Sequence, residues 1–163
     1  MAGALTGLFH IAIKTGDLAR TRRFYLDVLG MVEVARPEFG FPGAWIAAPV
    51  PGGGAIFHIY AGGPALGRDG VVPSGTGAID HVSVAAVGFH AMRERLRRHA
   101  LPFREFVVPG TTIWQVFVYD PSGVQLEITF EGRVEGAPAP DLSPGHAYVA
   151  GDNFFAAEAY AAI

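Results

Sequence analysis

The chain contains no cysteine. Disulfides, thiolate metal ligands and cysteine nucleophiles are excluded together. The absence is compatible with a reducing cytoplasm, the compartment expected here. Charge is also sparse. Twelve Lys and Arg against 15 Asp and Glu leave a net charge of −3. That balance does not fit a nucleic-acid binder or a membrane-surface protein, so neither partner is expected. No apolar run approaches the length of a bilayer span, and no basic stretch before an apolar run marks a secretory leader. What is present is 163 residues, half of them hydrophobic. That is enough for one domain or for two half-modules sharing one core. The clusters Arg20, Arg22, Arg23 and Arg93, Arg95, Arg97, Arg98 are expected to form wet faces of helices.

The pattern that organises the chain is internal repetition. His10-Ile-Ala-Ile reappears as His81-Val-Ser-Val, an offset of 71. Trp45 recurs as Trp114, and Gly54-Ala-Ile-Phe-His58-Ile as Gly123-Val-Gln-Leu-Glu127-Ile, both at an offset of 69. A two-residue length difference between copies reconciles the offsets.

Each copy reads as strand, helix and three strands. In the first, alternation over Leu8–Ile13 predicts a strand. Asp17 is a helix N-cap. Leu18, Phe24, Tyr25, Val28 and Leu29 make an apolar helical stripe, and Gly30 stops it. Strands follow near Val32–Arg36, Ala44–Ala48 and Ala55–Tyr60. The second copy has a strand over Ala78–Ala85, a helix through Phe89, Met92 and Leu96, and strands near Phe103–Val108, Thr112–Tyr119 and Val124–Phe130. The expected fold is therefore α+β, two tandem βαβββ modules. Module one covers 8–61, a Gly/Pro-rich linker 62–77, and module two 78–132, within a single domain 1–132. A tail, 133–163, ends in an apolar segment, Phe154–Ile163, expected to pack on the core or on a partner subunit.

Strand alternation sorts these residues into faces. Phe9, Ile11 and Ile13 oppose His10 and Ala12; Val82 and Val84 oppose His81, Ser83 and Ala85. Phe57 and Ile59 oppose Ile56, His58 and Tyr60; Val124, Leu126, Ile128 and Phe130 oppose Gln125, Glu127 and Thr129. The apolar faces suit contact with helices. The opposite faces carry His10, His58, His81 and Glu127. His10, His81 and Glu127 form a two-His, one-carboxylate donor set that suits Fe(II), Mn, Zn, Ni or Co and leaves positions open for substrate. His58 is a possible fourth ligand or the catalytic acid/base group. Tyr60, Ser83 and Trp114 are candidate substrate contacts. His90 and His99 sit at helix ends and are expected in solvent. His146 and Tyr148 could fold over the cavity mouth from the tail.

These residues resemble the vicinal oxygen chelate superfamily, which includes glyoxalase I, bleomycin-resistance proteins, fosfomycin-resistance transferases and extradiol dioxygenases. The resemblance rests on Phe9-His-Ile-Ala-Ile, Asp17-Leu with Phe24-Tyr-Leu-Asp-Val-Leu-Gly-Met31, Ile79-Asp-His-Val-Ser-Val and Tyr119-Asp-Pro-Ser-Gly-Val-Gln-Leu-Glu-Ile128. It implies a U-shaped cup of mixed sheet around a divalent metal held by His10, His81 and Glu127. It also implies a small substrate bound through vicinal oxygens, and a homodimer. A His at position 58, where glyoxalase I carries a carboxylate, resembles the biphenyl-diol dioxygenases. That favours Fe(II) and an extradiol-type cleavage of a catechol-like aromatic. A glyoxalase I-like lyase or isomerase is the alternative, and a non-catalytic drug-binding protein the third reading.

Overall fold

The computed structural model describes residues 3–5 and 7–163. Met1, Ala2 and Thr6, part of the expected domain, lie outside the described residues. The expected order of elements is observed. β1 (Ile11–Lys14) leads to α1 (Leu18–Arg23), then β2 (Val32–Val34), β3 (Gly43–Ala47) and β4 (Ala55–Tyr60). β5 (Val82–Ala85), α2 (Phe89–Arg98), β6 (Phe103–Val107), β7 (Ile113–Tyr119) and β8 (Gln125–Glu131) repeat it. A short α3 (Gly132–Glu135) opens the tail.

Each module is a four-stranded mixed sheet, ordered β1-β4-β3-β2 and β5-β8-β7-β6. The first strand of each runs parallel to the last, and the remaining pairs are antiparallel. The register Ala12↔His58 has its counterpart in Ser83↔Glu127, so the two sheets share one design.

Local chemistry sets the first helix. The Asp17 carboxylate accepts from the Arg20 amide at 2.9 Å, an N-cap bond. After Arg23 the turn widens into a π-helical stretch, Phe24–Val28, in which the Leu29 amide reaches back to the Phe24 carbonyl. This turn presents Phe24, Tyr25 and Val28 to the core together. Gly30 ends it at φ +72°, a left-handed position glycine takes without steric cost.

One core serves both modules. Phe57 and Ile59 of β4 join Leu126, Ile128 and Phe130 of β8, with Phe24 and Tyr25 from one helix and Phe89, Met92 and Leu96 from the other. The apolar faces read from strand parity therefore pack into this core, with an exception at the start of β1, while His58, Gln125 and Glu127 on the opposite faces of β4 and β8 are buried as well. Phe9 is 88% exposed. Strand pairing begins only at Ile11, and at Val82 in the second copy. Both candidate histidines thus sit just before a strand rather than within one.

The tail packs on this core. Tyr160 is buried and donates to the Tyr119 carbonyl at 2.5 Å. Phe154 and Phe155 rest against Tyr119. Residues around Ala147 also bridge to Glu105 in parallel, so the tail extends the β6 edge.

The second arginine cluster departs from expectation at Arg93. Arg93 is buried, its Nε 2.8 Å from Glu105, itself 1% exposed. The Arg93 side chain reaches from α2 to Glu105 of β6, and that buried carboxylate offsets its charge. Arg20 and Arg22 do form exposed ion pairs, with Asp17 and Glu33.

Candidate metal centre

In module one, β4 positions His58 and β3 positions Trp45 directly opposite it. Trp45 stacks on His58, centroids 4.3 Å apart, and His10 stacks on its other side at 3.8 Å. His58 is buried between two rings. Burial, with His10 and Arg36 nearby, pushes its pKa below the usual imidazole value, so it is neutral at pH 7. His10 Nδ1 is buried with no hydrogen-bond partner. Such an atom requires a ligand, water or ion. Tyr60 follows on the same face, its ring against Phe41. The Arg36 guanidinium lies over Phe39 and Phe41, each at 4.7 Å.

In module two, His81 and Glu127 meet, with Nε2 3.4 Å from Oε2. Asp80 Oδ1 lies 2.7 Å from His81 Nδ1. A proton on Nδ1 satisfies that contact and turns the Nε2 lone pair toward Glu127. The other Glu127 oxygen accepts from Ser83 at 2.5 Å and Thr129 at 3.0 Å. One carboxylate oxygen is therefore held by hydroxyls while the other faces an imidazole lone pair. Two such atoms are bridged equally by a proton on Nε2 or by a metal ion between them. Two metal ligands at about 2.1 Å and a tetrahedral angle stand about 3.4 Å apart. The donor chemistry of this pair fits a divalent metal.

Among the described residues no group of three His, Cys, Asp or Glu side chains gathers to hold a metal ion. The chain pairs His10 with His58 and His81 with Glu127, one pair on each sheet, and does not bring the four to one point. Ser83 holds the Glu127 carboxylate rather than standing free. Trp114 requires a correction. It shares register with Phe130 and packs its ring on Phe89, on the side covered by α2, so it does not line the ligand face. The residue opposite Glu127 is Phe117, as Trp45 is opposite His58. The shared offset of 69 matched two tryptophans that face opposite ways, because the hairpin from β7 to β8 is shorter than that from β3 to β4.

Two further residues stand beside this pair: Asp80, which the sequence did not single out, and Tyr148, a tail residue that it did. Asp80 sits immediately before His81, and that adjacency was the available signal. Tyr148 folds flat on Phe117, centroids 3.6 Å apart and 5° from parallel. Its hydroxyl is 3.4 Å from Asp80, and burial together with Asp80 and Glu127 pushes its pKa up. The tail thus brings an aromatic wall to the His81 side, as its composition allowed without specifying. His146 pairs instead with Asp141, and His90 contacts the Gly136 carbonyl, both outside these clusters.

Comparison with known proteins agrees with this architecture. Glyoxylase I 4 of Arabidopsis thaliana is 27% identical over 131 residues, covering 76% of this chain and 70% of that protein. A crystal structure of a putative glyoxalase family protein from Bacillus anthracis matches 80% of this chain and 99% of its own, with 18% identity and a TM-score of 0.61. A lactoylglutathione lyase from Agrobacterium tumefaciens matches 82% of this chain and 100% of its own, with 16% identity and a TM-score of 0.55. At such identities the two structures bear on the fold alone. A family profile matches residues 7–128. The chain belongs to the Glyoxalase/Bleomycin resistance protein/Dioxygenase superfamily.

Proposed function

We propose that this protein is a divalent-metal-dependent, cytoplasmic enzyme acting on a small molecule through adjacent oxygens, with extradiol-type cleavage of a catechol-like aromatic as its reaction. The observation that carries the reading is the His81–Glu127 pair, with donors 3.4 Å apart and Asp80 behind the imidazole. His81, Glu127 and His10 would hold the metal, Fe(II) by preference. When bound, a divalent ion supplies a Lewis acid that stabilises negative charge on substrate oxygen. The protein supplies the rest. Asp80 fixes the His81 ring, and Ser83 and Thr129 fix the carboxylate. His58, neutral and held between two rings, can accept a phenolic proton at a ring nitrogen. Trp45 and Tyr60 offer aromatic surface against which a planar substrate can lie.

The two pairs occur on separate sheets, so the reading includes a homodimer in which His10 of one copy meets His81 and Glu127 of another. Mixing variants tests this directly. His10→Ala and Glu127→Ala are each expected to bind no metal. After subunit exchange, an equimolar mixture should regain about a quarter of the wild-type metal content, since half the dimers would carry one intact site of two. No recovery from a dimeric mixture would argue against shared sites.

A second reading, a lyase or isomerase of glyoxalase type, is favoured by the name of the Arabidopsis relative. Elemental analysis with an activity assay separates the two. Iron with oxygen uptake on adding a catechol supports cleavage. Nickel or zinc with isomerisation of the methylglyoxal–glutathione adduct supports the lyase. A protein that takes up no metal on reconstitution would sink both.

A further inference from the structure

α2 carries four arginines, and they meet different fates. Arg93 is neutralised by buried Glu105. Arg97 lies over the Phe103 ring. Arg95 turns into a cavity of about 290 Å³ between the two modules. Met31 and Ile56 of module one and Val84, Met92 and Ile128 of module two line it. Arg95 is the sole charged residue in that lining.

The guanidinium is lodged rather than draped on the surface. Its Nε is buried with no hydrogen-bond partner, and its Nη2 reaches only the Met92 sulfur, at 3.9 Å. Its Nη1 occupies the space that a Cβ at Gly30 would need. Among the described residues no carboxylate pairs with it. Burial and neighbouring Arg98 push its pKa down, the response of a cation with no anion beside it. A partly exposed cation at the edge of an apolar cavity, with no carboxylate beside it, is free to receive an anion from outside.

We propose that this cavity binds a small apolar monocarboxylate, with its chain between the modules and its carboxylate on the Arg95 guanidinium. Arginine suits the role because its planar fork matches both carboxylate oxygens. The volume equals that of roughly ten water molecules at about 30 Å³ each, room for a medium-length chain such as octanoate. The lining offers hydrophobic contact, and against Arg95 it sets only the weak acceptor of the Met92 sulfur. Because the walls come from both modules, a bound acid would bridge them and raise the unfolding temperature by linkage. The site is separate from the His81–Glu127 pair, none of whose side chains line it.

Octanoate and octanol serve as probes, with binding followed by calorimetry and thermal unfolding. The wild-type protein is expected to bind octanoate saturably at about 1 mM or below and octanol at least tenfold more weakly. Arg95→Met should lose that preference while retaining the wild-type circular dichroism. Arg95→Lys keeps a cation and should retain the preference in part, which separates lost charge from lost folding. Glu127→Ala should bind octanoate as the wild type does, which excludes a carboxylate held at the metal centre. Unchanged octanoate affinity in Arg95→Met would overturn the proposal. So would the absence of saturable binding to the wild type, including the case in which a second copy covers the cavity.

Discussion

At the scale of single residues, the ligand pairs depend on their supports. His81 is aimed by Asp80 at 2.7 Å. Asp80→Asn keeps the size and removes the charge that favours a proton on Nδ1. Metal affinity is expected to fall about 10- to 100-fold, the usual cost of losing an outer hydrogen-bond partner. Competition with a chromophoric chelator measures it. An unchanged affinity would mean that the imidazole is oriented by packing, with Phe117 edge-on at 5.6 Å the candidate.

At the scale of elements, α2 and β6 are locked by a buried ion pair that the sequence concealed. Arg93 stood in a run of arginines, where solvent is the usual environment. Its partner Glu105 sat in an alternating strand without a mark to set it apart. Glu105 also accepts from the Asp141 amide at 2.6 Å, so it holds helix, strand and tail together. Glu105→Ala strands a buried cation and should cost about 3 kcal/mol of stability, read as a lowered denaturant midpoint with retained strand content.

The same scale shows what was legible. Strand parity identified the apolar faces of β4 and β8, because period-two alternation with one continuous apolar face leaves little choice. The ends of β1 and β5 were not legible. Phe9 alternates correctly but has no paired strand to carry it inward. Trp114 misled because matching letters fix a position in sequence, whereas facing is fixed by the length of the intervening hairpin. The meeting of His10 with His58, and of His81 with Glu127, followed from parallel pairing of first and last strands. Where the two pairs lie relative to each other depends on module packing, which no local pattern encodes.

At the scale of the whole molecule, the modules are tied through Asp120. This side chain is fully buried, and the Tyr25 hydroxyl donates to it at 3.1 Å across 95 residues of chain. Burial pushes its carboxyl up to about 6, against the opposing amides of Val124 and Ser122 and the Tyr25 hydroxyl. The folded state therefore binds this proton more tightly than the unfolded chain, whose value is near 3.9. The contribution to stability is fully present below about pH 4 and is lost as pH rises through about 6. Wild-type stability, measured by urea unfolding, should fall between about pH 4 and pH 7 relative to Asp120→Asn, which has no proton to release. Parallel pH profiles for the two proteins would contradict this origin.

The same turn has a consequence for exchange with solvent deuterium. The Ser122 and Val124 amides donate to the Asp120 carboxylate, and the Gly123 amide to the Asp120 carbonyl. Tyr160 holds the preceding Tyr119 carbonyl from the tail. Turns ordinarily open by local fluctuation, and their amides exchange within the fast class. Here the turn is held by module one on one side and by the tail on the other, so opening it requires both to separate. Its amides, that of Val124 above all, should exchange as slowly as those in the middle of β8, a turn that keeps time with the core.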